Sequence, residues 1–358
     1  MLGGRTMDYI SVREAAKAWG ISVRRISTLC STNRIPDVEM LGNMWLIPKN
    51  AQKPEDARYK LFNGLHPIVK WVGGKGQLLE EIAKKYPAGL GTTVKNYVEP
   101  FVGGGAVLFE LLGKYKFDNV YISDINAELI NLYCMVRDHA GEVIDILKGY
   151  EKEFLPLKDD DRKAYYYARR DEFNRLIETG SSTNSVLGAA IFIFLNRTCF
   201  NGLYRVNSKG LYNVPMGAYK NPKICDEENL SAVSKALQNV TIACADYRKS
   251  IEYIDENTLV YLDPPYRPLN TTSAFTSYTE SGFSDQNQIE LAEFVQELTR
   301  RKANVILSNS DPKNADENDN FFDELYSRQN IFRVAASRMI NSKTQSRGKI
   351  SEILVCNY

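Results

Sequence analysis

The sequence predicts an α/β protein built on an open, mostly parallel sheet, with a small helix-turn-helix module ahead of it. Three stretches carry that reading. Thr258-Leu-Val-Tyr-Leu262 is a run of β-prone residues stopped by Pro264-Pro265, the pattern of a buried strand ending at its carboxyl edge. Asn96 to Asp124 runs strand, glycine loop, helix, strand and acid in that order. Residues 1–54 hold two short capped helices and then two strands about a Gly-Asn turn.

At 358 residues with 44% apolar content, the chain is long enough for two domains and a substantial core. A formal net charge of +1 gives no global basic field, so any nucleic-acid contact must come from local patches. The six cysteines form no C-x-x-C pair and there are only two histidines, so neither a metal site nor a disulfide framework is expected. Reduced cysteines, the lack of an apolar signal core and the lack of any stretch approaching a membrane span predict a cytoplasmic protein.

In the first 54 residues, Ser11-Val-Arg-Glu14 reads as a capping box opening a helix that Gly20 ends, and Ser22 caps a second helix carrying Arg24, Arg25, Ile26 and Leu29. Val38 to Ile47 reads as a two-stranded wing. The segment resembles the excisionase and MerR-type winged helices, whose second helix enters the major groove; that resemblance implies DNA contact through Arg24 and Arg25. Residues 1–60 hold ten Lys/Arg against six Asp/Glu. Residues 55–66, with charge and Gly64 but no periodicity, read as a linker, and the second domain is expected to span residues 67–358.

That domain opens with Lys70-Trp71-Val-Gly-Gly-Lys75 before an expected helix Gln77–Tyr86. The glycines would let backbone approach a ligand, Trp71 would cover an adenine or sulfonium face, and Lys75 would meet a carboxylate. Next comes a strand from Asn96 that reaches Glu99 and Phe101, then the loop Gly103-Gly104-Gly105 and a helix Ala106–Leu112. It is not the dinucleotide G-x-G-x-x-G. The following strand ends at Asp124, where a carboxylate can accept from a ribose diol. Residues 127–180 alternate apolar and charged at helical spacing and predict packed amphipathic helices.

Between Asn196 and Cys225 the character changes to five Lys/Arg, no Asp/Glu and interleaved Phe200, Tyr204, Tyr212 and Tyr219. A β-hairpin about Ser208-Lys-Gly210, narrow enough for a DNA groove, is the expected form. Basic charge would handle phosphates, aromatics would wedge or stack, and Arg205 would fork onto guanine. Asp246 follows the strand Val240–Ala243, near the expected ligand adenine. Residues 269–284, rich in Thr, Ser and Phe, read as a mobile loop over substrate. A helix Gln286–Arg300 and strands Val305–Leu307 and Ile353–Cys356 complete the pattern, and the basic stretch Arg333 to Lys349 is expected to face a nucleic-acid backbone.

Asp263-Pro264-Pro265-Tyr266 is where chemistry is expected. Two prolines fix φ and remove two donors, leaving outward carbonyls with a carboxylate in front and an aromatic ring behind. An exocyclic amine fits such a corner: its two N–H groups can bond the Asp263 carboxylate and the Pro264 carbonyl while Tyr266 stacks on the ring. Holding both hydrogens frees the nitrogen lone pair, and the carboxylate stabilises the positive charge that develops on alkylation.

These residues together resemble the Dam-type, α-class DNA adenine methyltransferases, in which the cofactor motifs come first, the target-recognition region sits between, and D-P-P-Y comes late. The resemblance covers about Pro67 to Tyr358 and implies a target-recognition region inserted at about 140–232. It implies a Rossmann-like fold with a helical and β-hairpin insertion, S-adenosylmethionine as methyl donor without a metal, and a flipped adenine in double-stranded DNA as acceptor. It also implies that Trp71, Lys75, Glu99, Phe101, Gly103, Gly105, Asp124, Asp246 and Asp263 surround the cofactor. Phe200-Asn201-Gly202-Leu203-Tyr204-Arg205 matches the family's F/Y-N-G-L-x-R segment. By that match Phe200 inserts beside the flipped base and Leu203 and Arg205 read bases of GATC. Asn201, Pro215 and Tyr219 fall in the same DNA-facing strings, and Lys70 matches the lysine that reads the first guanine. Ala218 stands where the family often has an arginine, and the amino-terminal module is an addition to minimal members. Two rival functions stay open: an RNA adenine methyltransferase, and a DNA-binding regulator with an inert second domain. So does the choice between protecting DNA from a cognate restriction endonuclease, serving a phage, and working alone.

Overall fold

The computed structural model describes residues 8–31, 34–42, 44–54, 65–267, 283–336 and 350–358. The chain divides into two compact units, Met1–Lys60 and Leu61–Tyr358.

In the first unit, β1 (Tyr9–Ser11) runs directly into α1 (Val12–Trp19), followed by α2 (Val23–Ser31), β2 (Glu39–Leu41) and β3 (Met44–Pro48). The Ser11 hydroxyl accepts from the Glu14 amide at 3.3 Å while the Glu14 carboxylate accepts from the Ser11 amide at 2.8 Å, and Gly20 ends the helix with a left-handed φ of 64°. The Ser22 hydroxyl caps α2 by accepting from the Arg25 amide. All strand pairs are antiparallel, in the order β1-β3-β2. Sequence periodicity misses β1 because three residues are too few to display alternation. Ala15, Ile26, Leu29, Cys30, Ile35 and Ile47 form the small core, and Met40, Leu41 and Met44 around the β2–β3 turn are exposed.

The second unit is a seven-stranded sheet in the order β6-β5-β4-β7-β8-β10-β9. Its strands are β4 (Asn96–Glu99), β5 (Asn119–Asp124), β6 (Val240–Cys244), β7 (Thr258–Leu262), β8 (Asn304–Ser310), β9 (Asn330–Ala336) and β10 (Ile350–Cys356). The first five run parallel, and β10 lies antiparallel between β8 and β9. Every residue of β7 is buried: Leu259 and Tyr261 pack into one core layer, Val260 and Leu262 into the other. Burial on both faces is why this strand reads as continuously apolar. The chain winds outward from β4 to β5 and β6, then returns to β7 on the other side of β4. The order therefore reverses between β4 and β7, and open α/β sheets bind ligands at the carboxyl ends flanking such a reversal.

One layer of the sheet holds α4 (Ala106–Lys114), α5 (Ala127–Asp138) and α9 (Glu227–Leu237), with α6 (Ala140–Phe154), α7 (Asp159–Glu178) and α8 (Val186–Thr198) filling the long crossover from β5 to β6. Helix α8 is apolar all round and buried continuously from Gly188 to Asn196, so it forms the middle of that bundle. Three aspartates, Asp159 to Asp161, sit in the first turn of α7, where negative charge offsets the helix dipole. The opposite layer holds α10 (Asp285–Arg300) and the short α11 (Phe321–Leu325).

Several expectations need correction. The helix expected over Gln77–Tyr86 is a 3-10 turn, Lys75–Gln77, followed by α3 at Leu79–Ala83 only. The expected hairpin near Ser208 consists of isolated bridges, Val206 to Tyr212 and Cys199 to Met216, within irregular chain. Residues 333–336 of the stretch read as a DNA-facing loop are strand β9. There the exposed Arg333 pairs with Asp311 at 3.1 Å and Asp323 at 2.8 Å, so two carboxylates of the protein already offset its charge. The rest of that stretch, 337–349, and residues 269–282 of the expected mobile loop lie outside the described residues.

Candidate active site

Four adjacent parallel strands each end in or just before an acid. Glu99 is the last residue of β4 and Asp124 the last of β5, Asp246 follows β6, and Asp263 follows β7. Among the described residues, the cation brought to this edge inside the protein is Lys75, 4% exposed, whose ammonium lies 2.7 Å from Asp263 Oδ1 and donates to the Gly73 carbonyl at 2.6 Å. Lys75, expected to meet a carboxylate, meets the protein's own Asp263 in this structure.

Asp263 Oδ1 also accepts from the Ser308 hydroxyl at 2.9 Å, and Ser308 in turn hydrogen bonds Tyr261 at 3.0 Å. Among the described residues no hydrogen bond reaches Asp263 Oδ2 or the Pro264 carbonyl, and a fifth of the Asp263 side chain is exposed. Burial pushes the Asp263 carboxyl above its usual range, against the opposing pull of Lys75 and Ser308. Tyr266 donates to Glu352 at 2.5 Å and carries the Lys75 ammonium 4.5 Å from its ring centroid, so one ring face is covered by a cation.

The proline turn is held from behind. Gln288, fully buried in α10, donates to the Pro265 carbonyl at 3.2 Å and accepts from Asn309 at 3.0 Å; Asn309 accepts from the Arg267 amide at 3.2 Å. The Arg267 guanidinium then reaches Asp285 at 2.8 Å and Asp319 at 2.6 Å. Sequence reasoning missed Ser308, Glu352, Gln288 and Asn309. Their only signal was polar residues where the core pattern asks for apolar ones, as in Ser308-Asn309-Ser310 after Val305-Ile-Leu307.

Glu99 is 2% exposed and accepts from the Tyr97 hydroxyl at 2.7 Å. Burial, reinforced by the Asp263 charge, raises its carboxyl well above the usual range despite Lys75. Two carboxyls thus share one ammonium, and only one of them need ionise. The folded form then keeps the Glu99 proton where the unfolded chain releases it, so this group's stabilisation is present at low pH and lost as pH rises through the folded value. Glu99→Gln, which has no proton to lose, should melt increasingly above the wild type as pH is raised from 5 to 8.5. A melting-temperature difference that stays constant over that range would refute a proton held at Glu99.

Asp124 accepts from the Gly103 amide at 3.1 Å and the Asn126 amide at 3.0 Å, tying the glycine loop to β5. Gly103 has φ of 46°, and a Cβ there would sit 2.8 Å from the Trp71 indole, so the loop's glycine makes room for Trp71. Gly105 makes room in the same way for Tyr133 and Phe109. Trp71 is half-buried and stacks on Tyr204 with centroids 5.6 Å apart. Phe101 stacks on Tyr247 at 5.3 Å. Asp246 is exposed, caps the 3-10 segment Tyr247–Tyr253 and pairs with Arg248.

The basic aromatic stretch separates into two populations. Tyr204 and Tyr212 are buried in the bundle core, which corrects the expectation that they wedge into DNA: Tyr204 packs against Trp71, Phe192 and Tyr212, and Tyr212 against Phe173. Phe200 is 52% exposed on a 3-10 turn, with Asn201 and Arg205 exposed and Leu203 half-buried nearby. Arg205 donates to Asn213 at 2.7 Å and Pro215 accepts from the Phe200 amide at 2.9 Å. The Lys70 ammonium donates to the Tyr219 hydroxyl at 3.1 Å.

Residues 71–340 match the family model of the D12 class N6 adenine-specific DNA methyltransferases. The chain belongs to that family. Among curated relatives, the type II methyltransferase M.MjaIII of Methanocaldococcus jannaschii is 50% identical over 294 residues, covering 82% of this chain and 99% of that protein. The type II methyltransferase M1.LlaDCHI of Lactococcus lactis subsp. cremoris is 40% identical, covering 82% and 96%. The DNA adenine methylase of Escherichia coli strain K12 is 34% identical, covering 80% and 93%. A D12-class enzyme is an adenine-specific DNA methyltransferase and uses S-adenosylmethionine, and the mostly parallel sheet is consistent with that methyltransferase fold. No helix among the described residues is long and apolar enough to cross a membrane.

Proposed function

We propose that this D12-class enzyme methylates the exocyclic amine of an adenine flipped out of duplex DNA within GATC, using Asp263 and the Pro264 carbonyl to hold the amine. The observation that carries this is the pair of unengaged acceptors at the strand-order reversal: Asp263 Oδ2 and the Pro264 oxygen, beside a carboxylate whose other oxygen is already fixed by Lys75 and Ser308.

The donor chemistry of the edge suits S-adenosylmethionine. A row of carboxylates favours a ligand bearing a sulfonium, an ammonium and a ribose diol, and would repel a pyrophosphate. Asp124, at the end of β5, would take the diol with the lone pairs left by Gly103 and Asn126, and Phe101 and Trp71 would border the cofactor. When bound, the cofactor supplies an activated methyl group, so no covalent enzyme intermediate is required.

The residues of the chain do the rest. Flipping the base costs on the order of a few kcal/mol. The exposed Phe200 offsets part of that by filling the vacated stack, with Asn201, Leu203, Arg205, Pro215, Tyr219 and Lys70 meeting the surrounding bases and phosphates. Tyr266 stacks on the adenine with the face that Lys75 does not cover. Asp263 accepts one amine hydrogen and Pro264 the other, and the carboxylate offsets the positive charge growing on nitrogen as the methyl arrives. The displaced amine proton leaves by way of Asp263.

The two helices and three strands of the first unit support a winged-helix reading with Arg24, exposed on α2, and Arg25 at DNA. Purified full-length protein given labelled cofactor should label a GATC duplex at adenine, and leave a GATC-free duplex and RNA blank. Equal label in all three would end the GATC assignment. Methylome sequencing of cells expressing the full chain or residues 67–358 should reveal sites lost with the first unit if that unit contributes to recognition.

A further inference from the structure

Asn196, in the last turn of α8, is 3% exposed. Its Oδ1 accepts from the Lys70 amide at 2.8 Å, and its Nδ2 donates to the Lys70 carbonyl at 2.9 Å and the Gly202 carbonyl at 3.0 Å. One carboxamide thus pairs both backbone groups of Lys70, as a neighbouring β-strand would, and ties them to the turn that presents Phe200. Neither partner lies in a strand or an α-helix. Lys70 lies in unassigned chain, and the turn Phe200–Gly202 holds Asn201 at φ 56° and Gly202 at φ 65°. The two are packed so closely that a Cβ at Gly202 would fall 2.3 Å from Lys70 Cδ. The far end of Lys70 rests on Tyr219, whose carbonyl and that of Lys220 accept from Arg162.

We infer that Asn196 is a positioning residue for sequence discrimination, locking Lys70 and the Phe200 turn into one rigid reading head. The inference rests on the reading that Lys70 and Phe200 meet DNA. Discrimination between base pairs depends on where a side chain's donors lie, whereas contact with phosphates tolerates displacement. Freeing the Lys70 backbone should therefore erode the choice of base more than it weakens binding to DNA as a whole.

The test is a competition in which one reaction holds a GATC duplex and a duplex altered only at the first base of that site, and the ratio of their kcat/KM values is read. That ratio does not depend on how much of a variant preparation is folded. Asn196→Asp keeps the shape, loses both donors and turns carboxylate oxygen toward two carbonyls. It should lower the ratio by roughly tenfold, the scale of one well-placed base contact. Asn196→Ser should lower it too, should the aspartate variant fold poorly. Asn131→Asp, which disrupts an equivalent two-way pairing with the Ser185 backbone elsewhere in the bundle, should destabilise the protein without moving the ratio. In a Lys70→Ala background, Asn196→Asp should have little further effect. A wild-type ratio in both Asn196 variants, with Lys70→Ala lowering it, would overturn the inference alone. A wild-type ratio in Lys70→Ala would overturn the reading beneath it.

Discussion

Asp263→Asn should abolish methyl transfer while leaving cofactor and DNA bound. The substitution keeps the side chain's shape but removes the negative charge that offsets the developing ammonium, and it replaces one acceptor oxygen with a donor facing the substrate amine or Lys75. Losing one preorganised electrostatic contact of this kind costs roughly 10³-fold in rate, about 4 kcal/mol of transition-state stabilisation. The Lys75 ammonium stays compensated, because Glu99, freed from its carboxylate neighbour, can ionise in turn. Single-turnover methylation with labelled cofactor, alongside calorimetric binding of cofactor and duplex, separates the two effects. Activity within tenfold of the wild type would show that Asp263 does not grip the reacting amine.

Lys75→Met should be nearly as damaging, for a different reason. It removes the cation that pairs with the part-buried Asp263 and also favours ionisation of the buried Glu99, and an unpaired buried charge costs about 3 kcal/mol or more. The protein can avoid that cost by keeping a proton on Asp263 as well as on Glu99. In the proposed mechanism Asp263 acts as the ionised group, so the acid limb of the kcat/KM profile should move upward in pH by about one to three units, and activity should partly return at alkaline pH. Profiles from pH 5.5 to 9.5 decide the matter. An unshifted limb accompanied only by a weaker apparent affinity for the cofactor would mean that Lys75 serves the cofactor and not Asp263.

How much of this was legible beforehand depended on whether a residue's task is local. The buried strand before Asp263 could be read because a central parallel strand is apolar throughout and prolines cannot extend it. The capping box at Ser11 and Glu14 could be read because its two partners are three residues apart. Strand β9 was missed, since its Arg333 looks like one more charge in a basic run until Asp311 and Asp323 are seen beside it. Tyr204 and Tyr212 misled in the opposite direction: an aromatic interleaved with lysines looks exposed, yet both fill the bundle core.

By itself the sequence determined the succession of strand, glycine loop, helix and strand from Asn96 to Asp124, the acids at the strand ends and the proline-stiffened corner at Asp263 to Tyr266, because each follows from neighbours along the chain. Only the tertiary structure decided that Lys75 closes on Asp263, that Gln288 and Asn309 hold the proline turn, and that Asn196 binds Lys70 to the Phe200 turn. Those pairings join residues far apart in the chain, and a hydrogen bond depends on distance and direction in space, which spacing along a sequence does not encode.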